Sequence, residues 1–436
     1  MKKKWLISLL ALGCACSCAF GLAGCGAQGE KGDKGEPGVG IEKVEYDKDG
    51  NLVITLTDGS TQTVAMPEKE TGGEETTQEG TPGLHYQRIA GKDEYRVIGL
   101  GMAAELDIVI PSVYNGLPVT EISEKAFDTE TYGTANYIAS VIIPDSVTSI
   151  GDWAFIGCSS LKEVVIGNGV TSIGNSAFYN CDSLTEVVIP DSVTSIEDSA
   201  FRSCDGLTEV VIPDSVTSIG AWAFEDCSSL TSVVIGNGVT SIGNGVFEDC
   251  SSLKEVVIGN GVTSIGGSAF SDCSSLRYTV EGNLKYLGNE KNPYLYLAGV
   301  TSTDIQSITI HTNCRIIGDY AFSDCSSLTE AVIPDSVTSI GNSAFRGCNS
   351  LTEVVIGNGV TSIGEGAFAS CSSLAEAVIG NGVISIGYRA FSNCSRLTSI
   401  TFKGTVEEWH AIAKGYDWHY GVPATEAVCS DGKAGL

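Results

Sequence analysis

The chain has 436 residues, of which 53 are glycine and only 18 % are charged, with 25 Lys and Arg against 53 Asp and Glu. The resulting net charge of −28 repels nucleic acids and anionic lipid surfaces, so composition argues against a nucleic-acid-binding protein. The length exceeds what one ordinary globular core holds, unless the chain repeats itself and grows by addition.

The N-terminus predicts export. Three lysines follow Met1, and an apolar stretch at Trp5–Leu22 runs into Leu22-Ala23-Gly24-Cys25. This pattern indicates a signal peptide over residues 1–24 rather than a spanning helix. The last four residues resemble a bacterial lipobox, which implies cleavage before Cys25 and a lipid on its sulfur. We therefore expect an extracytoplasmic protein of the bacterial cell surface, held to the membrane by a lipid anchor alone. An ordinary signal peptide with a chance cysteine is the alternative.

Residues 25–40 follow as a glycine-rich spacer. Glycine stands at every third position from Gly29 to Gly38, which resembles the G-X-Y repeat of collagen. Four triplets are too few for a stable triple helix, so we expect a flexible spacer, with trimerisation as the alternative.

Two short segments separate this spacer from the rest of the chain. In residues 41–66, Asp49-Gly50 and Asp58-Gly59 are hairpin turn signals around an alternating stretch, which predicts a small β segment. Residues 67–83 are rich in Glu, Thr and Gly and almost free of apolar side chains, which predicts a disordered linker.

From residue 84 onward the sequence repeats with a step of 23 residues. Ala-Phe pairs recur, each followed three residues later by a cysteine in most copies. The regular cysteines are Cys158, Cys181, Cys204, Cys227, Cys250 and Cys273, then Cys325, Cys348, Cys371 and Cys394. The longer gap after Cys273 predicts one irregular copy at residues 276–317, and the first copy, at residues 108–127, lacks the cysteine.

The aligned copies read L-x-x-V-x-I, a Pro-Asp or Gly-Asn-Gly turn, V-x-x-I, then G-x-x-A-F-x-x-C. The first segment alternates as a strand does, and G-x-x-A-F suits a short helical turn. A single copy cannot bury its apolar positions, but stacked copies can align Leu on Leu and Phe on Phe. We predict a solenoid of about a dozen coils over residues 84–403, with an N-terminal cap, and a C-terminal cap segment over residues 404–436.

The repeat resembles the BspA-type leucine-rich repeat family, whose 23-residue unit ends in A-F-x-x-C-x-x-L. The resemblance implies a leucine-rich-repeat fold of parallel strands with short helical or 3-10 turns. It also implies a bacterial surface protein that binds host matrix or other cells, and it supplies no catalytic motif.

The regular cysteines admit three interpretations. Zinc sites need ligands that converge on a point, whereas these cysteines are spread along a line. Disulfides between neighbouring coils are geometrically allowed, but every cysteine would have two equivalent neighbours. We therefore expect a buried column of free thiols, with no metal and no cofactor.

Alternation also predicts which side chains the strands turn outward. A valine row comprises Val165, Val188, Val211, Val234, Val257, Val332, Val355 and Val378. An acidic row beside it comprises Glu163, Glu186, Glu209, Glu255, Glu330, Glu353 and Glu376. One interpretation is a soluble β surface. The other is a ligand-binding face for a basic protein or a cation-bridged glycan.

Aromatic residues suggest two further candidates. Trp409, Trp418 and Tyr420 near the C-terminus could stack on sugars, or could cover the end of the solenoid. The tyrosines and His311 of the irregular copy could form a binding loop, or a structural joint.

Catalysis has little support, because the chain has four histidines and no H-E-x-x-H, G-x-S-x-G or P-loop motif. We expect a monomeric, non-catalytic solenoid that mediates adhesion or protein–protein recognition by binding an extracellular protein or glycan. Glycan or nutrient capture and a passive surface component are the alternatives.

Overall fold

The computed structural model describes residues 41–46, 52–56, 61–64, 80–103, 106–128 and 137–436. The signal peptide, Cys25, the glycine-rich spacer and residues 67–79 lie outside the described residues. Two compact units are present, one up to Thr76 and one from Thr77 onward. Within the described part of the chain, no helix combines the length and apolar character needed to cross a membrane.

The first unit contains an antiparallel sheet in the order β1-β2-β3. Its strands are β1 (Ile41–Tyr46), β2 (Leu52–Leu56) and β3 (Thr61–Val64). These three strands lie within residues 41–66, for which the sequence predicts a small β segment.

The second unit begins with short strands that start the stack. These are β4 (His85–Arg88), β5 (Tyr95–Gly99), β6 (Asp107–Val109), β7 (Val113–Tyr114) and β8 (Leu117–Ile122). Packing against the first strands already includes a residue ahead of the predicted boundary at residue 84. Thr81 is buried, and its backbone N–H donates to the carbonyl of Val109 at 2.8 Å.

Each regular coil then contributes two strands, one from L-x-x-V-x-I and one from the Ser-Ile pair. The strands ahead of the irregular copy are β9 (Ser140–Ile142), β10 (Ser149–Ile150), β11 (Glu163–Val165), β12 (Ser172–Ile173), β13 (Glu186–Val187), β14 (Ser195–Ile196), β15 (Glu209–Ile212), β16 (Ser218–Ile219), β17 (Ser232–Ile235), β18 (Ser241–Ile242), β19 (Glu255–Val257) and β20 (Ser264–Ile265). Odd-numbered strands form one side of the solenoid, named here the strand face, and even-numbered strands form the Ser-Ile face.

The irregular copy interrupts this order with β21 (Thr279–Glu281), β22 (Leu284–Leu287) and β23 (Tyr296–Val300), which pair antiparallel. Regular stacking resumes with β24 (Ile316–Ile317), β25 (Glu330–Ile333), β26 (Ser339–Ile340), β27 (Glu353–Ile356), β28 (Ser362–Ile363), β29 (Glu376–Ile379), β30 (Ser385–Ile386), β31 (Ser399–Phe402) and β32 (Ala413–Lys414). After the irregular copy, the odd-numbered strands from β25 to β31 continue the strand face. The even-numbered strands from β24 to β32 continue the Ser-Ile face.

Identical residues of neighbouring coils lie side by side. Val210 pairs with Val233 in a parallel ladder, as do Ser195 and Ser218. Inside the coils, phenylalanine rings stack nearly parallel, with Phe178 and Phe201 centroids 5.2 Å apart. The predicted solenoid is confirmed, with about 14 turns rather than about a dozen. The additional turns come from terminal strands whose sequences do not fit the repeat.

The segment expected to form a helical turn is a series of single turns instead. Each regular coil has two left-handed residues there, one before the Ala-Phe pair and one before the cysteine. In one coil these are Ser176 (φ 52°) and Asn180 (φ 59°). A right-handed helix cannot continue through left-handed residues, so the segment stays a tight bend.

These bends, named here the turn face, are joined by a hydrogen-bond ladder of their own. The N–H of Ser176 donates to the carbonyl of Asp198 at 2.8 Å, and the N–H of Phe178 to that of Ala200 at 2.8 Å. The same bonds recur from coil to coil, and we name this series the turn ladder.

The C-terminal segment closes the stack. Helix α1 (Val406–Ala411) begins at a capping box between Thr405 and Glu408, and the hairpin of β33 (Glu426–Cys429) and β34 (Gly432–Gly435) extends the sheet of β31. An N-cap side chain and a glutamate three residues later satisfy two otherwise free backbone N–H groups, which explains why so short a helix forms here.

Candidate functional site

The strand face presents two outward rows, as alternation predicts. Val164 and Val187 point inward and are buried, whereas Val165 and Val332 are 45 % and 52 % exposed. The remaining outward valines, Val188, Val211, Val234, Val257, Val355 and Val378, are partly exposed. The acidic residues of the neighbouring row are all exposed or partly exposed. The predicted orientation of both rows is therefore confirmed, and whether they bind a ligand stays a prediction.

The glutamates of this face lie in register. Glu330 pairs with Glu353, and Glu353 with Glu376, in consecutive parallel strands. Adjacent strands are about 4.8 Å apart, so like charges stand directly beside each other, an arrangement that destabilises a sheet. Among the described residues, none of these three carboxylates takes part in an ion pair.

The face is not one continuous sheet. Hydrogen bonding joins β6 to β13, then β15 to β19, and then β25 to β34, as three separate sheets. Within a single sheet, the longest run of paired glutamates is therefore Glu330, Glu353 and Glu376.

The regular cysteines form the predicted buried column of free thiols. The Sγ–H of Cys204 donates to the carbonyl of Phe178 at 3.2 Å, and eight further regular cysteines, all but Cys325, repeat this contact one coil after another. Burial, with a smaller contribution from Asp128, raises the pKa of Cys158 to about 12. A thiol that stays protonated is a poor nucleophile, so the column acts as packing.

Cys314 and Cys429, which lie off the period, are also buried and free. Within the described ranges, no group of three or more His, Cys, Asp or Glu side chains is placed to hold a metal ion.

Of the two alternatives for the C-terminal aromatic residues, a sugar-stacking patch or a cover for the end of the solenoid, the structure supports the cover for both tryptophans. Trp409 is fully buried against Phe402 and Trp418, and Trp418 packs edge-on to Phe391 with a centroid distance of 6.1 Å. Only Tyr420 is exposed. The two tryptophans replace the next coil that the last phenylalanine would otherwise contact, which makes this segment a cap.

The irregular copy is a packed joint. The ring centroids of Tyr296 and Phe270 are 5.9 Å apart, so Tyr296 continues the phenylalanine column. Tyr286 is fully buried and is therefore not accessible to a ligand. Tyr294 and His311 stack on each other with centroids 3.7 Å apart. The buried core divides into two clusters here, one on each side of the copy.

Sequence reasoning missed an open groove of about 660 Å³ on the turn face. Three exposed aromatic side chains, Trp222, Tyr320 and Tyr388, line it. A signal was present in the sequence, because Trp222 and Tyr320 stand directly before the Ala-Phe motif, where six copies carry Ser or Gly, and Tyr388 stands one position earlier in its coil.

Comparison with known proteins gives consistent matches to one repeat class. A leucine rich repeat protein of T. pallidum has 36 % identity over 45 % of this chain and 88 % of its own, with a TM-score of 0.42. A leucine rich cell surface protein of Faecalibacterium prausnitzii has 29 % identity over 85 % of this chain and 98 % of its own, with a TM-score of 0.42. A leucine-rich repeat protein of Bacteroides ovatus has 26 % identity over 78 % and 91 %, with a TM-score of 0.40.

A search of curated proteins finds no match to this chain. The BspA type leucine rich repeat region matches in 6 copies, over residues 120–187, 171–292 and 300–413. These ranges cover more than half of the chain and coincide with the stacked coils. The chain therefore belongs to the BspA type leucine rich repeat family.

Proposed function

We propose that this protein is a surface-displayed, non-catalytic binding module, and that its strand face recognises a basic protein in adhesion. The observation that carries the proposal is the register of Glu330, Glu353 and Glu376. Three like charges held side by side cost stability, and a cationic partner that neutralises them would recover that cost on binding.

The neighbouring valines complete the proposed face. Val332 is more than half exposed beside the acidic row, which places an apolar strip next to the carboxylates. An apolar centre with a charged margin is the usual composition of a protein-recognition surface.

Display at the cell surface is part of the same proposal. The sequence before residue 41 carries the signal-peptide pattern and the lipobox-like Cys25, and family membership agrees with a surface location. We propose that the lipid on Cys25 is the sole membrane attachment. Metabolic labelling with a radioactive fatty acid should mark the wild-type protein and not Cys25→Ser.

The binding test uses the full-length protein on a panel of matrix proteins, followed by the variant Glu330→Gln/Glu353→Gln/Glu376→Gln. We expect one or more matrix proteins to bind, and the triple variant to lose about tenfold in affinity or more at low salt, because electrostatic contacts are least screened there.

The matched control removes three exposed carboxylates elsewhere, Glu281→Gln/Glu290→Gln/Glu407→Gln, and should bind like the wild type. Equal losses in both variants would mean that only net charge matters. Absence of binding to every panel member would favour a passive surface component.

A further inference from the structure

The groove on the turn face crosses the irregular copy. Its lining begins at Trp222, ahead of the copy, and ends at Asn393, well beyond it. Trp222, Tyr320 and Tyr388 are 41 %, 56 % and 38 % exposed along this path. Among the described residues, these are three of the six exposed aromatic side chains, and the other three, Tyr137, Tyr416 and Tyr420, do not line the groove.

The groove exists because the turn ladder stops at the irregular copy. On one side the N–H of Gly245 donates to the carbonyl of Gly267 at 2.8 Å, and on the other the N–H of Tyr320 donates to that of Asn342 at 3.0 Å. The irregular copy has no Ala-Phe turn to place between these two coils.

Backbone groups at the interruption are left without a backbone partner. Among the backbone hydrogen bonds of the described residues, the N–H of Ser268 donates to none and the carbonyl of Asp319 accepts none. Both residues line the groove. Unpaired backbone groups seek a partner, so they offer a donor and an acceptor to a polar ligand.

Glycines open the floor of the groove beside the aromatic residues. At the left-handed position, Gly245 and Gly366 replace the side chains of other coils (φ 59° and 57°). A Cβ added to Gly245 would lie 2.5 Å from Cδ1 of Trp222, which shows that the indole lies against this backbone. The ring therefore forms part of the groove wall.

The polar lining is mixed in charge. The charged lining residues are Arg346 and Arg389 together with Glu248, Asp319 and Glu365, and Asn342 adds an amide. Such a lining can donate and accept many hydrogen bonds but does not select a strongly charged ligand. Tyr320 and Tyr388 stand on coils three steps apart, roughly 15 Å at an inter-strand spacing of about 4.8 Å, so one small molecule cannot contact both.

We propose that this groove binds a neutral oligosaccharide. A sugar chain has apolar C–H faces that stack on aromatic rings and hydroxyl groups that both donate and accept hydrogen bonds, and its repeat allows successive units to follow successive coils. The site lies on the turn face, so it is independent of the strand-face recognition proposed above.

The test is isothermal titration calorimetry of the full-length protein with maltohexaose, cellohexaose, xylohexaose and mannohexaose. We expect at least one hexasaccharide to bind, and Trp222→Ala and Tyr320→Ala each to weaken its binding by about tenfold or more, since aromatic anchors dominate such sites. Both changed side chains are exposed, so the melting temperature should stay that of the wild type.

Trp153→Ala is the matched control. Trp153 occupies the same position in its own coil but lies outside the groove, with the ammonium of Lys125 5.4 Å from its ring. Its loss should leave sugar binding unchanged. The proposal would be overturned if none of the four hexasaccharides bound, or if binding survived in both groove variants. It would also be overturned if the protein bound only extended peptides in a parallel panel.

Discussion

The regular coils and the irregular copy both bury their apolar side chains, but they are joined to neighbouring coils by different contacts. In the regular coils, identical residues stack, and the turn ladder joins each coil to the next. In the irregular copy, Tyr296 maintains the aromatic column, but the turn ladder and the Ser-Ile sheet stop. Repetition thus satisfies the core without distinguishing any one coil, whereas the interruption creates a distinct position on the surface.

The largest expected effect comes from the cysteine column, which the regular coils possess and the irregular copy lacks. Burial, with smaller contributions from neighbouring carboxylates, raises the pKa of Cys158 and Cys273 from 9.0 to about 12. The folded state favours the protonated thiol, so this stability is complete below pH 9 and is lost between about pH 9 and 12. Each such thiol should lower the free energy of unfolding by about 1.4 kcal/mol per pH unit in this window.

Urea unfolding at a series of pH values from 8 to 11 measures this slope. The variant Cys204→Ala/Cys227→Ala/Cys250→Ala should show a clearly shallower loss of stability with pH than Cys314→Ala, which removes one thiol from the irregular copy. If the free energy of unfolding fell equally steeply with pH in both variants, the thiols of the column would not be responsible for the loss of stability.

The next largest effect is expected from breaking the aromatic column. Phe201 is fully buried, with Phe178 and Phe224 stacked on its two sides. Phe201→Ala should cost about 3–5 kcal/mol, because it removes a large side chain and leaves a cavity.

The two sides of the irregular copy should respond separately to this cavity. On the strand face, the sheet that ends at β19 is connected to the irregular copy by a single bridge between Val257 and Gly288. Hydrogen exchange by mass spectrometry should therefore show faster exchange in residues 141–276 of Phe201→Ala, with little change in residues 322–402. Phe345→Ala should give the reverse pattern. Uniform acceleration in both variants would refute the division.

A glycine comparison tests how tightly each region is packed. A Cβ on Gly238, in a regular coil, would lie 1.8 Å from the carbonyl oxygen of Asp214, whereas one on Gly282, in the irregular copy, meets nothing within 4 Å. Gly238→Ala should cost about 1–3 kcal/mol or more by overpacking. Gly282→Ala should cost about 1–2 kcal/mol at most, from its left-handed φ of 59°. Thermal unfolding of both variants measures the order, and a larger loss for Gly282→Ala would contradict it.

The smallest effect is expected at the acidic row. Glu330→Gln/Glu353→Gln/Glu376→Gln should raise stability by about 0.2–1 kcal/mol for each like-charge pair removed, and the gain should shrink in high salt. The control Glu281→Gln/Glu290→Gln/Glu407→Gln should change little, because these residues do not stand in register. A gain in the control as large as in the ladder variant would point to net charge instead.

Most of the solenoid interior could be predicted because its sequence signal is periodic. Leu184, Val187 and Ile189 are buried as alternation requires, and the free thiols lie where the spacing places them. The left-handed bends were not predictable from the G-x-x-A-F pattern, because Ser176 and Asn180 are equally compatible with a helical turn.

The candidate sites divide in the same way. The outward direction of Glu330 and Val332 follows from the two-residue period of a strand. The burial of Trp409 and Trp418 does not, since an aromatic residue at the end of a stack can either cover the core or face solvent. The folded cap decides between the two.

The sequence by itself determined the coil, its core and the place where the repeat fails, because a 23-residue period leaves only one way to stack identical apolar positions. Tertiary structure alone decided what that failure produces. Trp222, Tyr320 and Tyr388 are far apart in the chain, and they share one groove because the coils between them stack side by side while one turn segment is missing.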